Sequence, residues 1–349
     1  MDDLLTDAVR QLLADQCTPA VVRAIEAGST GDTLWQALQA SGFMDALVPE
    51  AVGGAGLNLA QAYPVFELCG AHALPLPLGE TLVARALLAR AGRAVPTGPI
   101  TLARGTLDLD GSVAARPVSL GGVSEWVLLQ IDRMTHVGGS TGAGAALAGQ
   151  AVLLSVTDAR TEPASFVLDR CLYWSPAQVA AATVVPGCAT LRKWQAVVVA
   201  AQLAGALHTV YERTLQYAND RVQFGRPIGK FQAIQHQLAV IAEHTFAARA
   251  AAQLGCCALP DGNPHPQRAA AAKARASEAA LEVASLAHAI HGAIGFTVEF
   301  DLNLYTRRLH AWRQLAGAES YWHQVLGQAV LQAPHRLSLD VLREMTDVA

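Results

Sequence analysis

The sequence predicts an α+β chain with a helical domain at each end and a small β-domain between them. Three observations predict it. Apolar residues recur at helical spacing through the N-terminal part, and short β-type runs separated by Gly, Asp, Pro and Ser fill the middle. From about residue 190 the pattern is helical to the end.

In chain order, Leu4, Leu5, Val9, Leu12 and Leu13 mark a first amphipathic helix. Leu34 to Ala40 mark a second, with Asp32 as its N-cap and Gly42 as its stop. Asn58 caps a helix running to about Cys69, and Leu74-Pro-Leu-Pro-Leu78 leads into another from about Glu80 to Arg90. These form an N-terminal helical domain over 1–95. The loop from Pro49 to Leu57 contains Gly-Gly-Ala-Gly, which invites a nucleotide-cradle reading. Without a preceding strand or a following Lys, a structural turn is the better reading.

Residues 96–186 form the β-domain. Its runs are Ile100-Thr-Leu, Thr106-Leu-Asp-Leu, Trp126-Val-Leu-Leu-Gln-Ile, Val152-Leu-Leu-Ser-Val and Ser165-Phe-Val-Leu. The stretch Gly138-Gly-Ser-Thr-Gly-Ala-Gly-Ala-Ala-Leu-Ala-Gly149 begins like a dinucleotide fingerprint at Gly142 and Gly144. Leu147 breaks it and the phosphate-loop Lys is missing, so a hairpin loop is expected.

Residues 187–349 are helical. Segments near 190–222, 231–257, 266–291 and 302–332 are each long enough to cross a bundle and are joined by short connections, which predicts an up-down four-helix bundle. One stretch organises this part: Arg221-Val-Gln-Phe-Gly-Arg-Pro-Ile-Gly-Lys-Phe-Gln-Ala-Ile-Gln-His236. Gly225, Gly229 and Pro227 break a helix that runs from Leu191 to Val222, and a second opens at Phe231. Arg221, Arg226 and Lys230 make the tip of this helix hairpin basic.

Composition bounds the function. The chain has 349 residues, 52% of them hydrophobic and 15% charged, so surface buried between subunits is expected. A net charge of −4 gives no general field for nucleic acid or anionic lipid. Met1-Asp-Asp-Leu-Leu lacks a signal-like n-region, and the apolar run Ala196 to Leu207 is too short for a bilayer. A soluble cytoplasmic protein without a membrane span is the expectation. Cys17, Cys69, Cys171, Cys188, Cys256 and Cys257 show no metal-ligand spacing and read as reduced core residues.

Three stretches resemble one family. Asp220 to Gln232, Asp-Arg-Val-Gln-Phe-Gly-Arg-Pro-Ile-Gly-Lys-Phe-Gln, is similar to the signature of the acyl-CoA dehydrogenases, flavoenzymes that oxidise acyl-CoA thioesters at Cα and Cβ. His291-Gly-Ala-Ile-Gly-Phe-Thr-Val-Glu-Phe-Asp-Leu-Asn-Leu-Tyr-Thr-Arg-Arg308 resembles the family's later Gly-rich turn, and Leu47-Val-Pro-Glu-Ala-Val-Gly-Gly-Ala-Gly-Leu57 its N-terminal domain. The resemblance implies two helical domains around a small β-barrel or sandwich. It also implies FAD bound across a subunit boundary, with an electron-transfer flavoprotein or similar protein as acceptor. Arg221 would pair with pyrophosphate, Phe224 would pack near the adenine half and Gln232 would hydrogen-bond it. In the second element the family's leading Gln is Ala289 and one glycine is Ala293. Gly292 is left as a candidate contact, or with Gly295 it only shapes the turn. Thr161-Glu-Pro163 resembles a flavin-ring loop but falls after most of the strands.

Dehydrogenation needs a carboxylate in reach of the substrate Cα. The resemblance places it in a Glu-Gly-Thr element that falls on Ala316-Gly317-Ala318, or on a Glu that falls on Gln195. A methyl and an amide take no proton at neutral pH. Glu319, three residues on and near the same helical face, is one substitute, and Glu299 a weaker one. No residue is assigned as catalytic and none as a metal ligand. The pattern resembles the base-lacking subunit of dehydrogenases built from two homologous chains, found in degradation of steroids and other bulky acyl groups. The partners implied are a homologous subunit in a heterotetramer and an acyl-CoA substrate. Two alternatives stay open: a homotetrameric dehydrogenase using Glu319, and a flavin monooxygenase or oxidase on the same fold.

Overall fold

The structure, a computed structural model, describes residues 2–132, 147, 149–188, 191–332 and 337–347. The glycine-rich stretch 138–149 lies outside the described residues apart from Leu147 and Gly149. The chain forms two compact units: Met1–Asn58 with Leu74–Gln195, and Leu59–Ala73 with Ala196–Ala349.

In the first unit, α1 (Asp2–Gln16) and α3 (Asp32–Ala40) match the predicted helices, with Asp32 at the first helical position and Gly31 as the N-cap. Between them lies α2 (Pro19–Glu26), which the sequence reading passed over. Its signal was present: the Thr18 hydroxyl accepts the Val21 N–H at 3.4 Å, and Pro19 begins the helix. Helix α4 (Leu59–Ala71) belongs to the second unit. Helix α5 (Leu78–Arg90) starts two residues before the predicted Glu80.

The β-domain is one mixed seven-stranded sheet that curls on itself, as the expected barrel or sandwich requires: Trp174 Nε1 donates to the Ser155 carbonyl at 2.8 Å although their strands lie near opposite ends of the sheet. Its strands are β1 (Ile100–Leu107), β2 (Val113–Val118), β3 (Trp126–Asp132), β4 (Ala151–Ser155), β5 (Arg160–Pro163), β6 (Arg170–Trp174) and β7 (Thr183–Val185). Their order is β5-β6-β2-β1-β3-β4-β7. Only β1 and β3 run parallel. The run at 100–102 and the first two residues of the run at 106–109 belong to one strand, and Ser165–Leu168 is a turn. One face packs Val113, Ala115, Val127, Leu129, Ile131, Val152, Leu154 and Trp174 into a core that also takes Val179 from the short helix α6 (Pro176–Ala180).

Strand β1 pairs with β2 only from Thr106 onward, so its first N–H groups need other acceptors. Helix α5 provides them: Glu80 Oε2 accepts from Leu102 at 2.9 Å and the Thr81 hydroxyl from Ile100 at 3.0 Å. Two side chains at the start of a helix thus stand in for a missing strand.

The second unit contains α4, most of α7 (Leu191–Asp220), the small hairpin β8 (Val222–Gln223) and β9 (Arg226–Pro227), α8 (Gln232–Gly255), α9 (Pro266–His291), α10 (Leu302–Gln314), α11 (Glu319–Leu331) and α12 (Ser338–Thr346). The predicted single helix over 302–332 is two helices. Ala316 at φ 60° and Gly317 at φ 108° are both left-handed, and two such residues in succession end a right-handed helix. By length and composition the segment Pro266–Phe296 could cross a membrane. In the fold, Ala269, Ala270, Ala272, Ala276, Ala279, Ala280, Val283 and Ala287 of α9 are buried, and the helix packs against α8, α10 and α11 as a core helix.

Candidate functional site

The basic tip forms for local reasons. In the β8–β9 hairpin Val222 faces Pro227 and Gln223 faces Arg226, which leaves Phe224-Gly225 as a two-residue turn. Phe224 has φ 52° and Gly225 φ 81°, the signature of a type I′ turn. The Ile228 N–H donates to the Arg221 carbonyl at 2.8 Å and closes the base of the hairpin. The Arg226 guanidinium lies 4.2 Å over the Phe231 ring, and Phe231 meets Phe224 edge to face at 6.2 Å.

This geometry presents the predicted residues outward. Arg221, Arg226, Lys230 and Gln232 are exposed, and Phe224 is 92% exposed. Holding an aromatic residue left-handed costs about 1–2 kcal/mol, and here the ring is put in water rather than in a core. The tip therefore offers an Arg fork, an apolar plate and an amide on one short segment.

Gly292 lies at the C-terminus of α9 with φ 65° and ψ −147°, a conformation open essentially only to glycine, and nothing lies within 4 Å of where its Cβ would be. Gly295 has a different reason: a Cβ there would come 3.1 Å from His288 Nδ1 and 3.2 Å from Leu302 Cδ2. Tyr217 joins this turn to the tip. It precedes Arg221 by one helical turn, donates to the His291 carbonyl at 3.3 Å and stacks on the His291 ring at 4.3 Å. Sequence reasoning gave no role to Tyr217, which lies in no motif, or to His291, which opens the second family-like stretch. Buried His291 fixes its tautomer by donating from Nδ1 to the Ala287 carbonyl at 2.8 Å, which leaves Nε2 as a buried acceptor without a partner.

Both predicted proton-acceptor positions are built into packing. Ala316 is buried with Ala196, Ala270, Ala274 and Trp322. Gln195 is buried in the first unit, where its Nε2 donates to Glu80 Oε1 at 3.0 Å and to the Leu102 carbonyl at 2.7 Å. Thr101 Oγ1 lies 2.5 Å from Glu80 Oε2 and 2.9 Å from the Ser119 carbonyl. Burial pushes the Glu80 carboxyl up, against the hydrogen bonds from Thr101, Leu102 and Gln195.

Glu319, the expected substitute, is committed to an ion pair. Ala316 is outside α11, so the two residues do not share a helical face. The Glu319 carboxylate forms a two-pronged ion pair with Arg313, with the Nε···Oε2 distance at 3.1 Å. Burial alone would raise this carboxyl, but the Arg313 hydrogen bond, a backbone N–H and the charges of Arg313 and Lys273 together hold it below its ordinary value. Glu299 is exposed. Thr161-Glu162-Pro163 forms the edge strand β5, paired to β6.

The loop at Pro49–Leu57 folds on itself. The N–H groups of Gly53, Gly54, Ala55, Gly56 and Leu57 donate to carbonyls of Glu50, Pro49, Asp45, Val48 and Ala46, so the glycine-rich part of the loop has its N–H groups occupied. A cavity of about 340 Å³ beside it is lined by Leu5, Phe43, Ala46 and Leu57 among others. All six cysteines are free. No cluster of metal-ligating side chains occurs among the described residues.

Comparison with known proteins places this geometry. Residues 2–94 match the acyl-CoA dehydrogenase N-terminal domain and residues 191–331 the acyl-CoA dehydrogenase C-terminal domain. The acyl-CoA dehydrogenase IpdE2 of Mycobacterium tuberculosis is 33% identical over 323 residues, covering 89% of this chain and 92% of that protein. Among solved structures, a variant of the Tcur3481-Tcur3483 steroid ACAD superposes with a TM-score of 0.79 at 25% identity, over 96% of this chain and 99% of that one. The ChsE4-ChsE5 complex from Mycobacterium tuberculosis shares the fold, with a TM-score of 0.78 at 19% identity over 95% and 97% of the two chains. The chain belongs to the acyl-CoA dehydrogenase family.

Proposed function

We propose that this chain is one subunit of a heteromeric acyl-CoA dehydrogenase that introduces a Cα–Cβ double bond into a bulky, steroid-derived acyl-CoA in the cytoplasm. A homologous partner subunit supplies the catalytic Glu, and this chain contributes cofactor contacts in trans. One observation carries the reading: at both positions where the family holds its proton acceptor, this chain has a buried group that cannot take a proton. The methyl of Ala316 is packed among alanines and Trp322, and the amide of Gln195 is committed to Glu80 and Leu102. The similarity to a steroid ACAD named for two chains supports both the partner and the substrate class.

The tip fits FAD. Arg221 is free to meet a pyrophosphate with a planar fork, Phe224 offers its ring to the adenine half, Gln232 its amide, and the open space over Gly292 admits close approach. Held there, FAD would supply the hydride acceptor for the substrate's β-hydrogen. An electron-transfer flavoprotein or similar protein would be the electron acceptor. The Arg313 ion pair of Glu319 disfavours a homotetramer that uses Glu319 as base.

The test is co-expression with a homologous subunit, followed by flavin content and acyl-CoA dehydrogenation in the complex and in each chain alone. Activity in the complex only is expected. Turnover of an acyl-CoA by this chain alone would overturn the reading. Oxygen consumption by this chain with reduced flavin would transfer it to the monooxygenases.

A further inference from the structure

Lys273 has no exposed surface, yet it lies in the middle of the Ala-rich helix α9. Its Nζ donates to Ser277 Oγ at 2.7 Å, to the Arg313 carbonyl at 2.9 Å and to the Gly317 carbonyl at 3.0 Å. An ammonium has three N–H donors, and here each finds an acceptor. One of those acceptors, Arg313, lies in the last turn of α10 and another, Gly317, within the turn 315–318, where Ala316 is left-handed without being glycine. This turn separates α10 from α11 and directs the Ala316 methyl inward against Trp322.

We propose that Lys273 is a protonation-dependent latch on the 315–318 turn: the ammonium ties the end of α10 to Gly317 and keeps Ala316 left-handed, and the neutral amine releases one tie and loosens the start of α11. The amine has only two N–H donors, so on deprotonation one buried acceptor is stranded. The strain of a left-handed residue with a Cβ at Ala316 then loses part of what opposes it.

The surroundings put the transition in a useful range. Burial pulls the Lys273 ammonium down to about 7 from its ordinary value, with Glu319 of α11 raising it and Arg313 of α10 lowering it further. No charge from α8, the other helix packed along α9, acts on it. The latch is thus engaged at slightly acid pH and released at alkaline pH.

The sequence makes the test simple, because Lys193, Lys230 and Lys273 are its only lysines. In protein labelled with 13C at lysine Cε, one of three signals should titrate near neutrality. Amide hydrogen exchange over 313–322, corrected for the intrinsic pH dependence, should lose about tenfold protection between pH 6 and pH 8.5 in the natural chain. Lys273→Met should be unprotected at both pH values, and Lys273→Arg, which keeps its charge, should show no loss. Three lysine signals all titrating near their ordinary value would overturn the proposal, as would pH-independent protection in the natural chain. The NMR titration and the exchange of the natural chain decide the matter even if Lys273→Met fails to fold.

Discussion

Gln195 and Glu80 meet at 3.0 Å inside the first unit, amide to carboxyl, with the Gln195 amide also tied to the Leu102 carbonyl at 2.7 Å. The position where a relative would carry a proton acceptor is here a strut between the start of α7, α5 and β1. Gln195→Glu therefore should not create a base. It would put a second carboxyl against a Glu80 whose own charge burial already disfavours. The expected result is a loss of about 2–4 kcal/mol in stability, with no gain of dehydrogenation. Both carboxyls would be raised, so the loss should be smallest at low pH and grow as pH rises through their titration. Denaturant unfolding at pH 5 and pH 8 measures it.

Asp169 gives a cleaner pH dependence. Its Oδ1 accepts the N–H of Leu120, a left-handed residue at φ 54°, at 3.1 Å. Burial raises its carboxyl from 3.8 to about 6, against the pull of the Leu120 N–H, Ser119 and Arg170. A raised folded pKa means that the stabilising contribution is complete below 3.8 and lost as pH climbs to about 6. The full swing is about 3 kcal/mol. The stability difference between the natural chain and Asp169→Asn should shift by that order between pH 3.5 and pH 7, in favour of the Asn variant at the higher pH.

Within the second unit, α4 and α7 cross at two glycines. A Cβ on Gly70 would lie 1.8 Å from the Gln202 carbonyl oxygen, and one on Gly205 would lie 1.9 Å from the Glu67 carbonyl oxygen. Both obstacles are backbone, so no rotamer change relieves them. Gly70→Ala or Gly205→Ala should each cost upward of about 3 kcal/mol by forcing the helices apart. A shift of the urea midpoint below about 0.5 kcal/mol in equivalent free energy would contradict this.

These particulars show what could be read from sequence. The long helices were legible because their apolar residues repeat at 3.6, and the basic tip because glycine, proline and cations cluster there. The break between α10 and α11 was not read from Gln314-Leu-Ala-Gly-Ala318, because the stop lies in two successive left-handed residues and Ala316, the first of them, carries no sequence signal for that conformation. The strands β2, β5 and β6 were missed because Arg, Pro and Cys dilute their β-pattern and pairing with neighbours supplies what local propensity lacks. Motif matching pointed to positions 195 and 316, which hold Gln and Ala where the family resemblance implies a carboxylate. That both are closed by packing needed the structure, since burial depends on elements far away in the chain.

The tip yields a prediction whose two readouts move in different directions. Phe224 is exposed and left-handed, so it contributes strain and little packing to its own fold. Asparagine tolerates the left-handed region, and Asn-Gly is a favoured pair for a type I′ turn. Phe224→Asn should leave the stability of this chain unchanged or raise it by about 0.5–1 kcal/mol, even after loss of the edge contact with Phe231. In the complex with its partner the same change should lower flavin retention, because the apolar plate offered to the adenine half is gone. Arg221→Lys should do likewise by replacing a planar fork with a point charge, again with little effect on unfolding. Thermal unfolding of the single chain and flavin content of the purified complex separate the two effects. If Phe224→Asn destabilises the chain and leaves flavin content intact, the exposed ring serves the fold rather than the cofactor.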